Sequence, residues 1–278
     1  MTAFGPDMPQ YVKLAPGIRR IVAPNPSMMT GPGTNTYLLG KCEVAVLDPG
    51  PDHPGHLAAI RDRAPGPIRW IIVTHTHADH SPGATSLARL TGAELIGALP
   101  PNGVQQDETF VPDRVVEDGD LIESSDFRLR AVHTPGHASN HFCFHHKKRN
   151  WLFTGDQVID GSTVVINPPD GNMKDYLQSL ERLMSIGCNA IAPGHGELIE
   201  DPARVMQWII DHRLKREARV YDAVNSNRGL TSDQLVAFVY EDVPTHLHVL
   251  AERSLLAHLQ KLEDDGRCYM NGNHWYIT

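Results

Sequence analysis

At 278 residues and 41% hydrophobic content, the chain is long enough for one large domain with its own core plus a small one. Its 25 Lys and Arg stand against 33 Asp and Glu, and the net charge of −8 argues against gripping nucleic acid by bulk charge. The start, Met1-Thr2-Ala3-Phe4-Gly5-Pro6, lacks a basic segment leading into an apolar stretch, and no run of about 18 apolar residues occurs. Export and membrane insertion are therefore not expected. Cys42, Cys143, Cys188 and Cys268 form no CxxC pair and fit reduced packing residues of a cytoplasmic protein.

Along the chain, short apolar runs alternate with helical stretches. Strands are expected at 37–39 and 44–47, a helix over 55–64, a buried strand at 70–73 and a helix over 83–90. Residues 127–132 alternate apolar and polar. Runs at 141–145 and 151–154 flank the polar turn Lys147-Lys148-Arg149-Asn150, a hairpin signal. A helix over 173–185 and a strand at 190–192 complete a layered α/β region. From Asp201 the texture turns helical, with an apolar stripe starting at Val205, Met206, Ile209 and Ile210. Thr231-Ser232-Asp233-Gln234 has capping-box spacing, and a third stripe from Leu247 to Leu262 stops at Gly266. A terminal hairpin turns at Asn271-Gly272-Asn273. Three helices and a hairpin predict a winged-helix-like domain over 207–278, behind a catalytic domain over 1–206.

One block carries the chemistry. His75-Thr76-His77-Ala78-Asp79-His80 follows the apolar run Trp70-Ile71-Ile72-Val73, so a loop leaving a buried strand holds three imidazoles and a carboxylate, the donor types that bind zinc. Left without a metal, that crowd would suffer repulsion and desolvation with nothing to offset them. Three more candidates, His137, Asp156 and His195, each follow a glycine, which lets the backbone turn sharply and approach a metal. Seven donors are too many for one tetrahedral zinc and suit two ions.

The set HxHxDH followed by separated His, Asp and His resembles the metallo-β-lactamase-fold superfamily, with no departure at any ligand position. The resemblance implies an αββα sandwich with the metals at one edge of two facing sheets. It implies His75, His77 and His137 at a first site, Asp79, His80 and His195 at a second, and Asp156 between them. It also places Asp48, in Leu47-Asp48-Pro49-Gly50, behind the ligands as a support. The expected cofactor is a pair of divalent cations, zinc first, with iron or manganese as alternatives. Two such ions lower the pKa of a shared water, and Asp79 can orient it and accept its proton, so hydrolysis needs no serine or cysteine nucleophile.

Segments around Asn25-Pro26-Ser27-Met28-Met29-Thr30 and Gly33-Thr34-Asn35-Thr36, with the helical end, are similar to the lactamase-beta-like endoribonuclease subgroup. That likeness makes a phosphodiester in single-stranded RNA the favoured substrate. It places His141, Asn35, Thr163 and Tyr176 by the substrate. A thioester, as for glyoxalase II, is the alternative; a mononuclear iron oxygenase is a third reading. Charge tempers the first: from Asp211 onward eight Lys and Arg face ten Asp and Glu, so the small domain reads as a lid or homodimer contact before an RNA clamp.

Overall fold

The computed structural model describes residues 10–278. The chain forms two compact units, and the first comprises the described residues up to Thr134 with Asn140–Thr163 and Ile186–Pro202. It opens with strands β1 (Tyr11–Ala15), β2 (Ile18–Val22), β3 (Asn35–Leu39) and β4 (Val44–Leu47). Helix α1 (Pro54–Arg63), β5 (Ile68–Ile72), α2 (Gly83–Thr91), β6 (Glu94–Gly97) and β7 (Arg114–Val115) follow. These seven strands make one sheet in chain order, antiparallel from β1 to β4 and parallel from β4 to β7. A second sheet has the order β12-β11-β10-β9-β8, built from β8 (Leu121–Glu123), β9 (Arg128–His133), β10 (Phe142–His146), β11 (Trp151–Gly155) and β12 (Ala190–Pro193).

Strand periodicity divides the side chains between two cores. Tyr37, Leu39, Ala45 and Leu47 face Leu129, Ala131, Phe144 and Phe153 of the second sheet, whereas Leu38, Val44 and Val46 face Leu57, Ile60, Ala84 and Leu87 of the two helices. Strands buried on both faces read as continuous apolar runs, which is why β4 and β5 were legible. Strands β1, β2, β6, β7 and β8 were not expected. Arg20 lies inside β2 at 1% exposure and breaks its apolar pattern, and the others are short and partly exposed.

Parallel pairing from β4 to β6 sends the connections after those strands to one edge, where the loop before β3 also arrives. Backbone bonds join the two sheets there: Phe142 N–H donates to the Thr74 carbonyl at 2.8 Å, and Asn35 N–H to the Gly194 carbonyl at 2.8 Å.

The second unit gathers Pro135–Ser139, Val164–Ser185 and Ala203–Thr278. It contains α3 (Met173–Ile186), α4 (Pro202–Ser226), α5 (Ser232–Val239), a 3₁₀ turn at Thr245–Leu247, α6 (His248–Asp264) and the hairpin β13 (Cys268–Asn271) and β14 (His274–Ile277). Val220, Val224, Leu235, Leu255, Leu259 and Trp275 form a core shared by α4, α5, α6 and the hairpin. The Gln234 side chain accepts from Thr231 N–H at 3.1 Å, starting α5, and Gly266 at φ 70° follows the end of α6. The expected boundary after residue 206 falls inside α4; the units part at Pro202, and two earlier segments group with the helical end. Of the cysteines, Cys143 and Cys268 are buried, Cys188 is half-buried and Cys42 is exposed. No described helix is long and apolar enough to cross a membrane.

Candidate metal centre

The loop after β5 is fixed from behind by Asp48, which ends β4 at φ 49°. Its Oδ1 accepts Thr74 N–H at 2.8 Å, and its Oδ2 accepts the Thr74 hydroxyl at 2.8 Å and lies 3.0 Å from His80 Nδ1. With its only proton given to Asp48, the Thr74 hydroxyl must accept from His75 Nδ1, 3.0 Å away. That leaves the His75 Nε2 lone pair facing His77 Nδ1 at 2.9 Å. Support from carboxylate and hydroxyl orients both rings and sets their tautomers. Asparagine at Asp48 tolerates the positive φ but removes the charge and turns one accepting oxygen into an NH2 that faces donors, so the expected result is a roughly 10- to 100-fold loss of metal affinity, read by competition with a chromogenic chelator.

Buried donors converge in front of this support. His80 Nε2 lies 3.3 Å from both Asp79 Oδ2 and Asp156 Oδ1, and His195 Nε2 lies 3.2 and 3.3 Å from the same two oxygens. His195 Nδ1 is turned to the Gly33 carbonyl at 3.3 Å, which aims Nε2 inward. The groups His75, His80, Asp156 and Asp79, His80, His195 each keep their donor atoms within 4.8 Å of one another. Among the described residues, His80 Nε2 is buried with no hydrogen bond although two carboxylates face it. A divalent cation fits that arrangement: nitrogen and oxygen donors, buried, with lone pairs aimed at one another.

Electrostatics agree. Burial, reinforced by the neighbouring imidazoles, holds His75 well below its ordinary pKa and therefore in the neutral form that binds metal. Burial also opposes a charge on His80 and His195, yet Asp79 and Asp156 outweigh it, raising His80 and pushing His195 up to about 9. Burial would raise the carboxyls of Asp79 and Asp156, but the facing imidazoles hold both well below the usual range. Protons here occupy the role of counter-cations.

Two glycines permit this density. A Cβ on Gly194 would stand 2.6 Å from Asp156 Oδ1, and one on Gly155, at φ 46°, would stand 2.8 Å from His141 Nε2. His137 lies on Pro135–Ser139 of the second unit, half-buried, with Nδ1 2.9 Å from the Val165 carbonyl.

Three residues expected beside the substrate have these surroundings. His141 is fully buried; its Nε2 accepts Asp156 N–H at 3.2 Å and its Nδ1 meets the Thr134 hydroxyl at 2.9 Å, so it positions Asp156 from within. Asn35, also fully buried, donates to the carbonyls of Pro193 and Gly196 at 2.9 Å each, because a short amide at a strand start satisfies backbone acceptors of the His195 turn. Tyr176 is enclosed in the second unit with Arg213 over its ring. Thr163 is half-buried. Several supports were not anticipated. The Thr34 hydroxyl donates to Asp79 Oδ2 at 3.3 Å, Tyr37 OH donates to the Pro193 carbonyl at 2.8 Å, and Arg20 Nη1 donates to the Gly196 carbonyl at 3.1 Å. Thr74, next to the histidine block, had the only local signal, a hydroxyl at the end of a buried strand.

Residues 29–195 match the family model described as the metallo-beta-lactamase superfamily, and residues 231–275 match the beta-lactamase associated winged helix domain. An atrochrysone carboxyl ACP thioesterase of Aspergillus fumigatus is 28% identical, over 98% of this chain and 90% of that protein. The beta-lactamase-like protein 2 homolog of Drosophila melanogaster is 31% identical, over 94% of this chain and 92% of its own length. A solved metallo-beta-lactamase family protein of Thermus thermophilus shares the fold at TM-score 0.80 and 21% identity, covering 96% of this chain and 100% of that one.

Proposed function

Because the chain belongs to the metallo-beta-lactamase superfamily, we propose that its binuclear metal centre hydrolyses a thioester, or a comparably activated ester. The observation that carries the reading is the enclosed set of His75, His77, Asp79, His80, Asp156 and His195 in a chain matched almost end to end by relatives named for thioester cleavage. Those relatives favour the thioester over the RNA phosphodiester expected from the sequence. In this proposal His75, His77 and His137 would hold one ion and Asp79, His80 and His195 the other, Asp156 would serve both, and zinc would suit the nitrogen and oxygen donor set.

When bound, the two cations supply an acidic water and positive charge for the developing oxyanion. The protein supplies orientation and proton handling. Asp79 is half-buried, its Oδ2 held by the Thr34 hydroxyl, and is the carboxylate placed to orient the attacking water and take its proton. The water oxygen bonds to the acyl carbon, the C–S bond breaks, and the proton passes to the departing sulfur, giving a carboxylic acid and a thiol. The experiment is elemental analysis of the purified protein, with a thioester and a fluorescent single-stranded RNA assayed on the same sample. Two zinc per chain with thioester turnover supports the proposal; RNA cleavage alone, or one iron and neither activity, overturns it.

Metal loading is also expected to release protons. His195, lifted to about 9 by Asp156 and Asp79 against the effect of burial, carries a proton at neutral pH in the metal-free protein and must lose it to bind. The apparent enthalpy of zinc binding at pH 7 should therefore change with the buffer's ionisation enthalpy. A buffer-independent enthalpy would remove the proton from the account.

A further inference from the structure

The connection from β2 to β3 carries Asn25-Pro26-Ser27-Met28-Met29-Thr30 and re-enters the sheet through Gly33-Thr34-Asn35. It is ordered by its own bonds. The Thr30 hydroxyl donates to the Asn25 carbonyl at 2.5 Å, Ser27 Oγ accepts Thr30 N–H at 3.0 Å, and Gly33 N–H donates to the Thr30 carbonyl at 3.0 Å. Gly33 closes the loop at φ 143°, where a Cβ would collide with the Ala23 carbonyl. Such a loop presents its side chains in fixed directions.

Asn25 grips Thr34 twice. Its Oδ1 accepts Thr34 N–H at 2.9 Å, and its Nδ2 donates to Thr34 Oγ1 at 2.9 Å. A backbone N–H can only donate, so the first bond fixes which end of the amide is oxygen, and the second therefore brings a proton to the Thr34 hydroxyl. That hydroxyl belongs to a fully buried residue and keeps one proton of its own; the one acceptor it meets among the described residues is Asp79 Oδ2, at 3.3 Å. The bond is long, as hydrogen bonds of catalytic groups often are before substrate arrives. The same Oδ2 lies 3.3 Å from His80 Nε2 and 3.2 Å from His195 Nε2, while Asp79 Oδ1 meets no donor among the described residues and the side chain is 27% exposed. The loop's backbone reaches His195 as well, through the bridge between Thr34 and His195 and the Gly33 carbonyl 3.3 Å from His195 Nδ1. His75 has a different support, the Thr74 hydroxyl held by Asp48.

We propose that Asn25 is a positioning residue of the metal centre. Acting through Thr34, it turns Asp79 Oδ2 towards His80 and His195 and leaves Oδ1 on the open side, free to take the proton of the attacking water. The part played by Oδ1 rests on the hydrolytic reading above; the hold on Oδ2 is independent of the substrate. Because the loop supports Asp79 and His195 but not His75, its influence falls on the ion of Asp79, His80 and His195.

The test is competition for zinc between a chromogenic chelator and the whole protein, native and as three variants, with no substrate present. Asn25→Asp keeps the shape and the acceptor for Thr34 N–H but replaces the Nδ2 donor with an acceptor, so the Thr34 hydroxyl donates there and releases Asp79. Added negative charge by itself would tighten cation binding, so weaker binding marks the lost bond. Asn25→Asp and Thr34→Val are each expected to bind one of two zinc ions roughly 10- to 100-fold more weakly and the other as the native protein does. Thr34→Ser, which keeps the hydroxyl, should hold both at native affinity. With zinc saturating, kcat for a thioester should fall in the first two variants while KM holds. Native affinity for both ions in Asn25→Asp, an equal loss at both ions, a Thr34→Ser protein as weak as Thr34→Val, or a rise in KM at native kcat overturns the proposal. If the native protein hydrolyses no thioester, the substrate reading fails by itself, and the zinc titrations still decide the role of Asn25.

Discussion

Asparagine at Asp156 is expected to lower kcat/KM by roughly 10³-fold or more and to leave at most one tightly held metal per chain. Asp156 Oδ1 faces His80 Nε2 and His195 Nε2 at 3.3 Å each, and His75, His80 and Asp156 form one of the donor groups. Asparagine keeps the shape and the backbone bond to His141 but removes the charge that the buried imidazoles oppose, so the loss should lie in metal affinity before it lies in folding. Elemental analysis beside kcat/KM separates the two. Full occupancy with unchanged turnover would show that Asp156 is no ligand.

The largest expected effect on stability comes from a residue outside the donor set. Arg20→Ala should cost about 3 kcal/mol, because it empties the space of a large side chain that is 1% exposed and removes the donor at 3.1 Å from the Gly196 carbonyl. Urea unfolding of the metal-free protein measures it. Glu197→Gln should cost under about 1 kcal/mol, since Glu197 is 52% exposed and its carboxylate is solvated. If the two variants were equally damaging, the ion pair rather than the buried guanidinium would be the stabilising element. The same turn carries His195, so Arg20→Ala should also weaken metal binding, whereas a fold effect alone would leave the loaded protein's affinity unchanged.

Much of the site was legible because its signals are local. His75 to His80 fall within one loop, and Gly155 and Gly194 directly precede Asp156 and His195, so a backbone requirement and a ligand sit side by side in the chain. The apolar runs of β4 and β5, the hairpin of β10 and β11, the capping residues of α5 and the stripe of α6 are local in the same way. Strand β2 was hidden because Arg20 occupies a core position, where its charge makes sense only beside a turn 176 residues further on.

The chain's order of residues therefore determined which donors exist, that they suit two metals, and which sandwich and winged-helix elements follow one another, since spacing and periodicity are written along the backbone. The tertiary structure alone decided what those donors face. It set His141 against the backbone of Asp156 and Asn35 against the turn that carries His195. Orientation arises from residues far apart in the chain, and only packing two sheets face to face brings them within reach of one another.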